Sequence, residues 1–163
     1  MGSKGFTLIE LLIVIAVMAI LTTVVFVALN PMARFQDARN NRRYTDVNAI
    51  LSAIKLDQVD NGGEYLADID ELSADLSYLI GSGENCNTVT CTGITLQSAC
   101  VNISDLADGG YLPSIPFDPN ATGATAEFSS YYLIKWSNGS ITVGACSPEQ
   151  GSGASTPVIS VRR

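Results

Sequence analysis

Glu10 is the one charged side chain in an otherwise apolar stretch that runs from Phe6 to Leu29. As a helix, these roughly 24 residues span about 36 Å, and a bilayer core requires about 20 residues. A carboxylate deep in a membrane costs several kcal/mol, so an acid placed there is expected to have a function and a partner. The alternative is a carboxylate near the helix end that reaches the membrane interface. The pattern therefore predicts a membrane-spanning segment with one acid of functional interest.

The rest of the sequence carries no signature of catalysis. It has no His, no phosphate loop of the G-x-x-x-x-G-K type and no recognisable nucleophile motif. A net charge of −7 over 163 residues disfavours electrostatic binding of nucleic acid by the bulk surface. We therefore expect neither an enzyme nor a protein that needs a cofactor.

A second helical pattern follows the apolar stretch. Its apolar residues recur at three- and four-residue spacing and are Tyr44, Val47, Ile50, Leu51 and Ile54. The run Asp60-Asn61-Gly62-Gly63 supplies a stop. The sequence thus predicts one long helix over about 6–60, first membrane-spanning and then amphipathic. Pro31 is expected to kink or melt it locally, or else to mark the exit from the membrane.

The downstream half predicts smaller elements. A short helix is expected over 68–80, a loop-rich region over 84–100, and a short helical turn capped by Ser104. Asn138-Gly139 lies between two β-rich runs and is a strong hairpin signal. The expected fold class is α+β, in which the long N-terminal helix packs against a small antiparallel sheet.

Four cysteines, Cys86, Cys91, Cys100 and Cys146, all follow the apolar stretch. An even number in a small exported domain favours disulfides, for which three connectivities are possible. A zinc site is disfavoured because the chain has no His and no C-x-x-C pair.

The string Lys4-Gly5-Phe6-Thr7-Leu8-Ile9-Glu10 resembles the N-terminal signal of type IV pilins and the related pseudopilins. The resemblance implies that a prepilin peptidase cuts between Gly5 and Phe6, and that the new N-terminal Phe6 is N-methylated. It also implies that Glu10 neutralises the Phe6 amine of a neighbouring copy. Thr7 is expected either to assist as a hydrogen-bond partner or to be a neutral surface residue.

The same resemblance divides the chain into a leader over 1–5, a transmembrane and filament-core helix over 6–30, and an exported pilin-like domain over 31–163. The favoured disulfides are Cys86–Cys91, which joins near neighbours in a tight loop, and Cys100–Cys146. The second ties the C-terminal strands to the middle of the domain, much as pilins often close their C-terminal region. Major pseudopilins bind calcium near their C-terminal loop, and Asp118 is the residue named here for that role.

Four arginines follow the apolar stretch, namely Arg34, Arg39, Arg42 and Arg43. The positive-inside rule places this side of the chain in the cytoplasm, whereas the cysteines and the pilin resemblance favour export. The arginines are expected on a solvated helix face, or paired with Asp37, Asp46 or the acids of a neighbouring copy.

The function that the resemblance implies is a structural subunit of a type IV pilus, a cell-surface filament for adhesion, motility or DNA uptake. Its expected partners are copies of itself, a prepilin peptidase, and a membrane assembly platform with its ATPase. The subunit is expected in the cytoplasmic membrane as a prepilin and then in the extracellular pilus. The alternatives are a pseudopilin of a type II secretion-like machine and a bitopic membrane-anchored binding domain.

Overall fold

Two helices follow each other end to end in the computed structural model, which describes residues 5–163. α1 spans Leu8–Leu29 and α2 spans Pro31–Asp60. Between them, Asn30 has a φ of 39°, a left-handed conformation that Asn adopts more readily than most residues. Pro31 takes the first position of α2, where its missing N–H costs no helical hydrogen bond. The predicted single helix is therefore two α-helices joined at one residue.

Five strands form one sheet within the described residues. They are β1 (Ser77–Ile80), β2 (Leu96–Val101), β3 (Tyr131–Lys135), β4 (Ile141–Ala145) and β5 (Ser160–Arg162). Their order is β2-β1-β3-β4-β5. β3 and β4 form the predicted hairpin, in which Tyr131 lies opposite Ala145 and Lys135 opposite Ile141. Gly139 closes its turn with a φ of 79°, a left-handed conformation that favours glycine.

The predicted α+β class is confirmed, but the sheet is mixed rather than wholly antiparallel. β1 runs parallel to β2, while the other three neighbouring pairs are antiparallel. A parallel pair requires a crossover connection, and residues 81–95 provide it without a long helix. The predicted sheet was antiparallel because its one clear signal was the β3–β4 hairpin, and that signal does not indicate the direction of β1 relative to β2.

The predicted helix over 68–80 is wrong. Only α3, over Ala67–Asp70, is helical there, and β1 occupies the end of the segment. Tyr78, Leu79 and Ile80 are all buried because both faces of β1 are covered. Tyr78 and Ile80 pack into the main core with α2, and Leu79 packs into a second cluster with the disulfide loop. A strand covered on both faces has a continuous apolar run without alternation, which sequence periodicity does not separate from a helix. β2 likewise occupies the end of the segment that was expected to be loop-rich.

α2 covers one face of the sheet and forms the main core with it. Its buried apolar stripe is Val47, Ile50, Leu51 and Ile54, close to the set predicted from spacing. This stripe faces β4, β5 and α4, the short helix Ser104–Asp108. The predicted cap is wrong, because Ser104 is the first residue of α4 and Ile103 takes the N-cap position. Tyr44, which was expected in the stripe, is half exposed beside the C-terminal segment 150–159.

The predicted disulfide connectivity is wrong, although all four cysteines do form disulfides. The pairs are Cys86–Cys100 and Cys91–Cys146. Cys86 begins a single helical turn and Cys100 lies in β2, so the first bond closes the crossover loop onto the sheet edge. The second bond ties the same loop to the residue that follows β4. The preference for the nearest cysteines failed because this loop folds back over the sheet.

Candidate functional site

Thr7 and Glu10 form a compact hydrogen-bonded cap at the start of α1. The Thr7 backbone N–H and hydroxyl donate to Glu10 Oε2 at 2.9 and 2.8 Å. The Glu10 N–H donates in return to Thr7 Oγ1 at 3.3 Å, which completes a capping box. Phe6, directly before the cap, is 88 % exposed. The structure thus brings together three of the residues predicted to act in assembly.

No side chain of α1 is buried within the described part of the chain. Its large apolar residues are exposed all round the helix, from Leu8 to Leu29. The hydroxyls of Thr22 and Thr23 donate to carbonyl oxygens one turn earlier, at 2.8 and 2.9 Å, so their polar groups are satisfied within the helix. Fully burying each such apolar side chain is worth about 1.5–3 kcal/mol, and the sum for α1 is on the order of tens of kcal/mol. α1 therefore requires lipid or other apolar helices around it.

α1 is long and apolar enough to cross a membrane, and it is the one helix of this kind among residues 5–163. Asn30 and Pro31 lie directly after it, so the predicted kink site coincides with the boundary between the bare helix and the helix that carries the domain. Ala33 is the first buried residue of α2. The junction is thus the single covalent link between an apolar rod and a packed domain.

A buried ion-pair cluster holds the C-terminal loop to α2. The Arg43 guanidinium donates to both carboxylate oxygens of Asp118, at 2.7 and 2.9 Å, and both side chains are buried. Its remaining nitrogen donates to Glu149 Oε2 at 2.9 Å. Arg39 also binds Glu149, at 2.7 and 2.5 Å. The expectation of a solvated face is wrong for Arg43, whose three donor nitrogens all find partners inside the domain.

Asn40 completes this cluster through the backbone of the loop. Its amide donates to the Glu149 carbonyl at 2.6 Å and its oxygen accepts from the Glu149 N–H at 3.0 Å. The hydrogen bonds from Arg39 are the main cause that holds the pKa of Glu149 below its usual value, and Arg43 adds to this effect against the opposing cost of burial. Glu149 is therefore held ionised between the two arginines.

Two of the other arginines behave as the sequence predicted. Arg34 lies 3.9 Å from Asp37 and Arg42 lies 3.8 Å from Asp46, and both guanidinium groups are largely exposed. Exposed pairs of this kind contribute little to stability, typically below about 1 kcal/mol.

Asp118, the residue named for calcium, has its oxygens occupied by the protein itself. Besides Arg43, the backbone N–H groups of Asn120 and Ala121 donate to Asp118 Oδ1, both at 2.8 Å. Within residues 5–163, no group of three or more His, Cys, Asp or Glu side chains converges as metal ligands. The carboxylate of Asp118 serves as a counter-ion and a turn acceptor in this structure.

Residues 1–26 match the family model described as the prokaryotic N-terminal methylation motif. The chain carries a class III prepilin signal, the signal of type IV pilins and pseudopilins. No match was found among curated proteins or among solved structures. The signal and the bare apolar α1 together fit membrane anchoring of the chain before its assembly into a surface pilus.

The predicted cleavage site lies in a segment that is exposed to solvent. Gly5, Phe6 and Thr7 precede the first turn of α1 and are exposed. Gly5 has no other part of the described chain within reach of the position that a Cβ would take. Residues 1–4 of the predicted leader lie outside the described residues. The bond predicted to be cut is therefore accessible on its Phe6 side.

Sequence reasoning missed the Arg43 cluster, although a signal for it was present. Arg43 lies four residues before Val47 and seven before Ile50, on the same stripe as the buried apolar residues. A charge inside an apolar stripe must find a buried partner. The identity of that partner, 75 residues further along the chain, depends on how the loops fold over α2.

Proposed function

We propose that this chain is the structural subunit of a type IV pilus, polymerised through α1 into a cell-surface filament. The observation that carries the proposal is the prepilin signal on a helix whose apolar surface has no partner within the described domain. Such a helix is stable in lipid, and it is equally stable when identical helices replace the lipid.

Processing comes first. A prepilin peptidase hydrolyses the peptide bond between Gly5 and Phe6, leaving a carboxylate on Gly5 and a free amine on Phe6. The amine then attacks the methyl group of a sulfonium-type methyl donor, which leaves as a thioether, and the amine loses a proton. The exposure of Gly5 and Phe6 supports this step, because a protease needs an accessible, extended segment.

Assembly follows from the new charge. Glu10 already accepts hydrogen bonds from Thr7. These bonds stabilise its carboxylate at the end of the membrane helix before the subunit is assembled. Among stacked helices, the Phe6 amine of one subunit pairs with Glu10 of the next. Removing one partner of a buried ion pair costs about 3–5 kcal/mol, so this pair selects one register between neighbours.

The pseudopilin alternative shares the signal and the helix. The calcium role considered for Asp118 is the feature that favours it, and that carboxylate is taken by Arg43. This observation supports the pilus over the secretion machine. Adhesion, motility and DNA uptake are all compatible with such a filament.

The test is electron microscopy of material sheared from the surface of cells that express the chain, with intact-mass spectrometry of the recovered subunit. We expect filaments whose subunit has the mass of residues 6–163 with one added methyl group. Calcium-dependent melting of the purified subunit separates a pseudopilin from a pilin.

Two results would contradict the proposal. One is a cell-associated chain that retains residues 1–5 with an unmodified N-terminus, which indicates a bitopic protein. The other is a processed chain that remains a solitary membrane species under conditions in which the assembly machine is active.

A further inference from the structure

α2 leaves two pairs of large apolar side chains exposed, one pair near each end. Met32 and Phe35 are 65 % and 62 % exposed, and Leu56 and Val59 are 54 % and 73 % exposed. Each pair has a three-residue spacing, so its members are neighbours on the helix surface. These residues are not part of the buried stripe of α2, and the domain core does not use them.

The two pairs repeat with the same spacing. Both Met32 to Leu56 and Phe35 to Val59 are separations of 24 residues, which correspond to about 36 Å along a helix. At 100° per residue, the second pair is rotated by about 240° from the first, so the pairs lie on two different faces. Two faces that point in different directions suit a head-to-tail contact, in which each copy offers one face to each of two neighbours.

We infer that α2 packs against α2 of a second copy of this chain displaced by about 36 Å along the filament axis, with Met32 and Phe35 against Leu56 and Val59. The inference rests on the proposed function, since parallel α1 helices hold the neighbouring α2 helices parallel. Met32 and Phe35 follow α1 within six residues, so the contact continues the helix packing directly into the domain.

Charge supports the same occupant. Arg42 lies seven residues beyond Phe35 on α2 and has a guanidinium that is largely exposed. Glu64 lies five residues beyond Val59 and is exposed. A displacement of 24 residues sets Arg42 of one copy level with position 66 of the other, in the segment just after α2 that also holds Glu64. Two opposite charges therefore lie at the same end of the apolar contact.

Lipid does not explain both pairs. Val59 follows Leu29 by 30 residues, or about 45 Å of helix, which exceeds the about 30 Å thickness of a bilayer core. With α1 in the membrane, lipid can reach Met32 but not the pair at the far end of α2. A second copy bound head to tail covers both pairs, which lipid cannot do.

The test uses charge substitutions at the exposed positions. Phe35→Glu alone and Val59→Lys alone are each expected to reduce the subunit recovered in sheared filaments by about tenfold or more, because each leaves an unpaired charge in an apolar contact. The double variant places the introduced carboxylate of one copy against the introduced ammonium of the next and is expected to restore assembly. Val158→Glu is the control, since Val158 is 84 % exposed but lies outside α2.

The outcomes separate the inference from the proposed function. If wild-type filaments form and Phe35→Glu assembles normally, the α2 contact is wrong while the pilus proposal stands. A single-variant loss that the double variant does not rescue, or an equal loss with Val158→Glu, also overturns the contact. Absence of wild-type filaments would contradict the proposed function itself. A cryo-electron microscopy map of the filament reads the Phe35–Val59 contact directly.

Discussion

Two charged side chains lie in apolar settings in this chain, and their charges are handled in different ways. Arg43 meets Asp118 and Glu149 inside the domain, where every donor nitrogen of its guanidinium is used. Glu10 accepts hydrogen bonds from Thr7, and no cation pairs with it among the described residues. One charge therefore stabilises the fold, and the other remains available to a partner.

Glu10→Gln separates the charge of this residue from its capping role. Gln retains a side-chain oxygen that accepts from Thr7, so the helix cap survives, but it offers no charge to an amine. We expect the variant to insert in the membrane at wild-type level and to lose filament yield by about tenfold or more, as for a broken buried ion pair. The yield is measured by quantifying the subunit in sheared and membrane fractions.

Thr7→Ala is the matched control for this prediction. It removes the capping hydroxyl but keeps the carboxylate of Glu10 and its hydrogen bond from the backbone N–H. Loss of a cap costs about 1 kcal/mol of helix stability, so filament yield should remain close to wild type. Normal assembly of Glu10→Gln, or an equal defect in Thr7→Ala, would show that the charge is not the assembly determinant.

Arg43→Ala is expected to destabilise the domain by about 3–5 kcal/mol, because Asp118 would remain buried without its counter-charge. The adjacent Arg42→Ala is the control and should change stability by less than about 0.5 kcal/mol, since Arg42 is largely exposed and Asp46 keeps its hydrogen bond from Tyr131. Urea unfolding followed by the fluorescence of Trp136, the one tryptophan of the chain, measures both. Equal midpoints for the two variants would disprove the structural role of the cluster.

At the scale of elements, α2 organises the molecule. Its apolar stripe covers the sheet, its first half binds the C-terminal loop through Arg43, and its first residue joins it to α1. Its last turn carries a less favourable feature. Asp57 is almost fully buried there, and its carboxylate accepts from Asn61 Nδ2 at 2.9 Å. A negative charge near a helix C-terminus opposes the helix dipole.

Asp57→Asn is expected to stabilise the domain at neutral pH by about 0.5–1 kcal/mol. Burial, helped by the nearby carboxylates of Asp60 and Asp105, raises the pKa of Asp57 above its ordinary value. Asn removes the charge and keeps an acceptor for Asn61. Thermal unfolding of the variant and wild type at several pH values measures the difference.

The sign of the pH dependence follows from the raised pKa. The folded state binds the Asp57 proton more tightly than the unfolded state, so this residue costs stability once the pH has risen through its folded pKa. The stabilisation by Asp57→Asn should therefore vanish below about pH 3.9, the ordinary Asp value. The exposed Asp108→Asn is the control. A gain that persists at low pH would assign the effect to packing rather than charge.

For the molecule as a whole, the sequence predicted what local patterns encode. The apolar run of α1, the stripe on α2 and the Asn138-Gly139 turn each appear where expected, because helix period and turn chemistry act over a few residues. The signal in residues 1–26 was also readable, since it is a contiguous string. These parts sufficed for the α+β class and the prepilin signal.

The errors all concern long-range neighbours. β1 was predicted as a helix because its apolar run is covered on one face by the core of α2 and on the other by the disulfide loop, both set by long-range packing. The cysteine pairs depended on the fold of the crossover loop, and the partner of Arg43 lies in a loop that no local pattern places. Local chemistry specifies that a buried charge needs a partner, whereas the topology decides which partner it finds.

The last prediction concerns the independence of the globular domain from α1. Because no α1 side chain is buried in the described structure, a chain that begins at Pro31 should fold into the same domain. We expect a detergent-free monomer with both disulfides, and a Trp136 unfolding midpoint equal to that of the full chain in detergent. Size-exclusion chromatography and urea unfolding provide the measurements. A truncated chain that aggregates, or that unfolds at markedly lower urea, would show that α1 stabilises the domain and that the rod is not an independent assembly element.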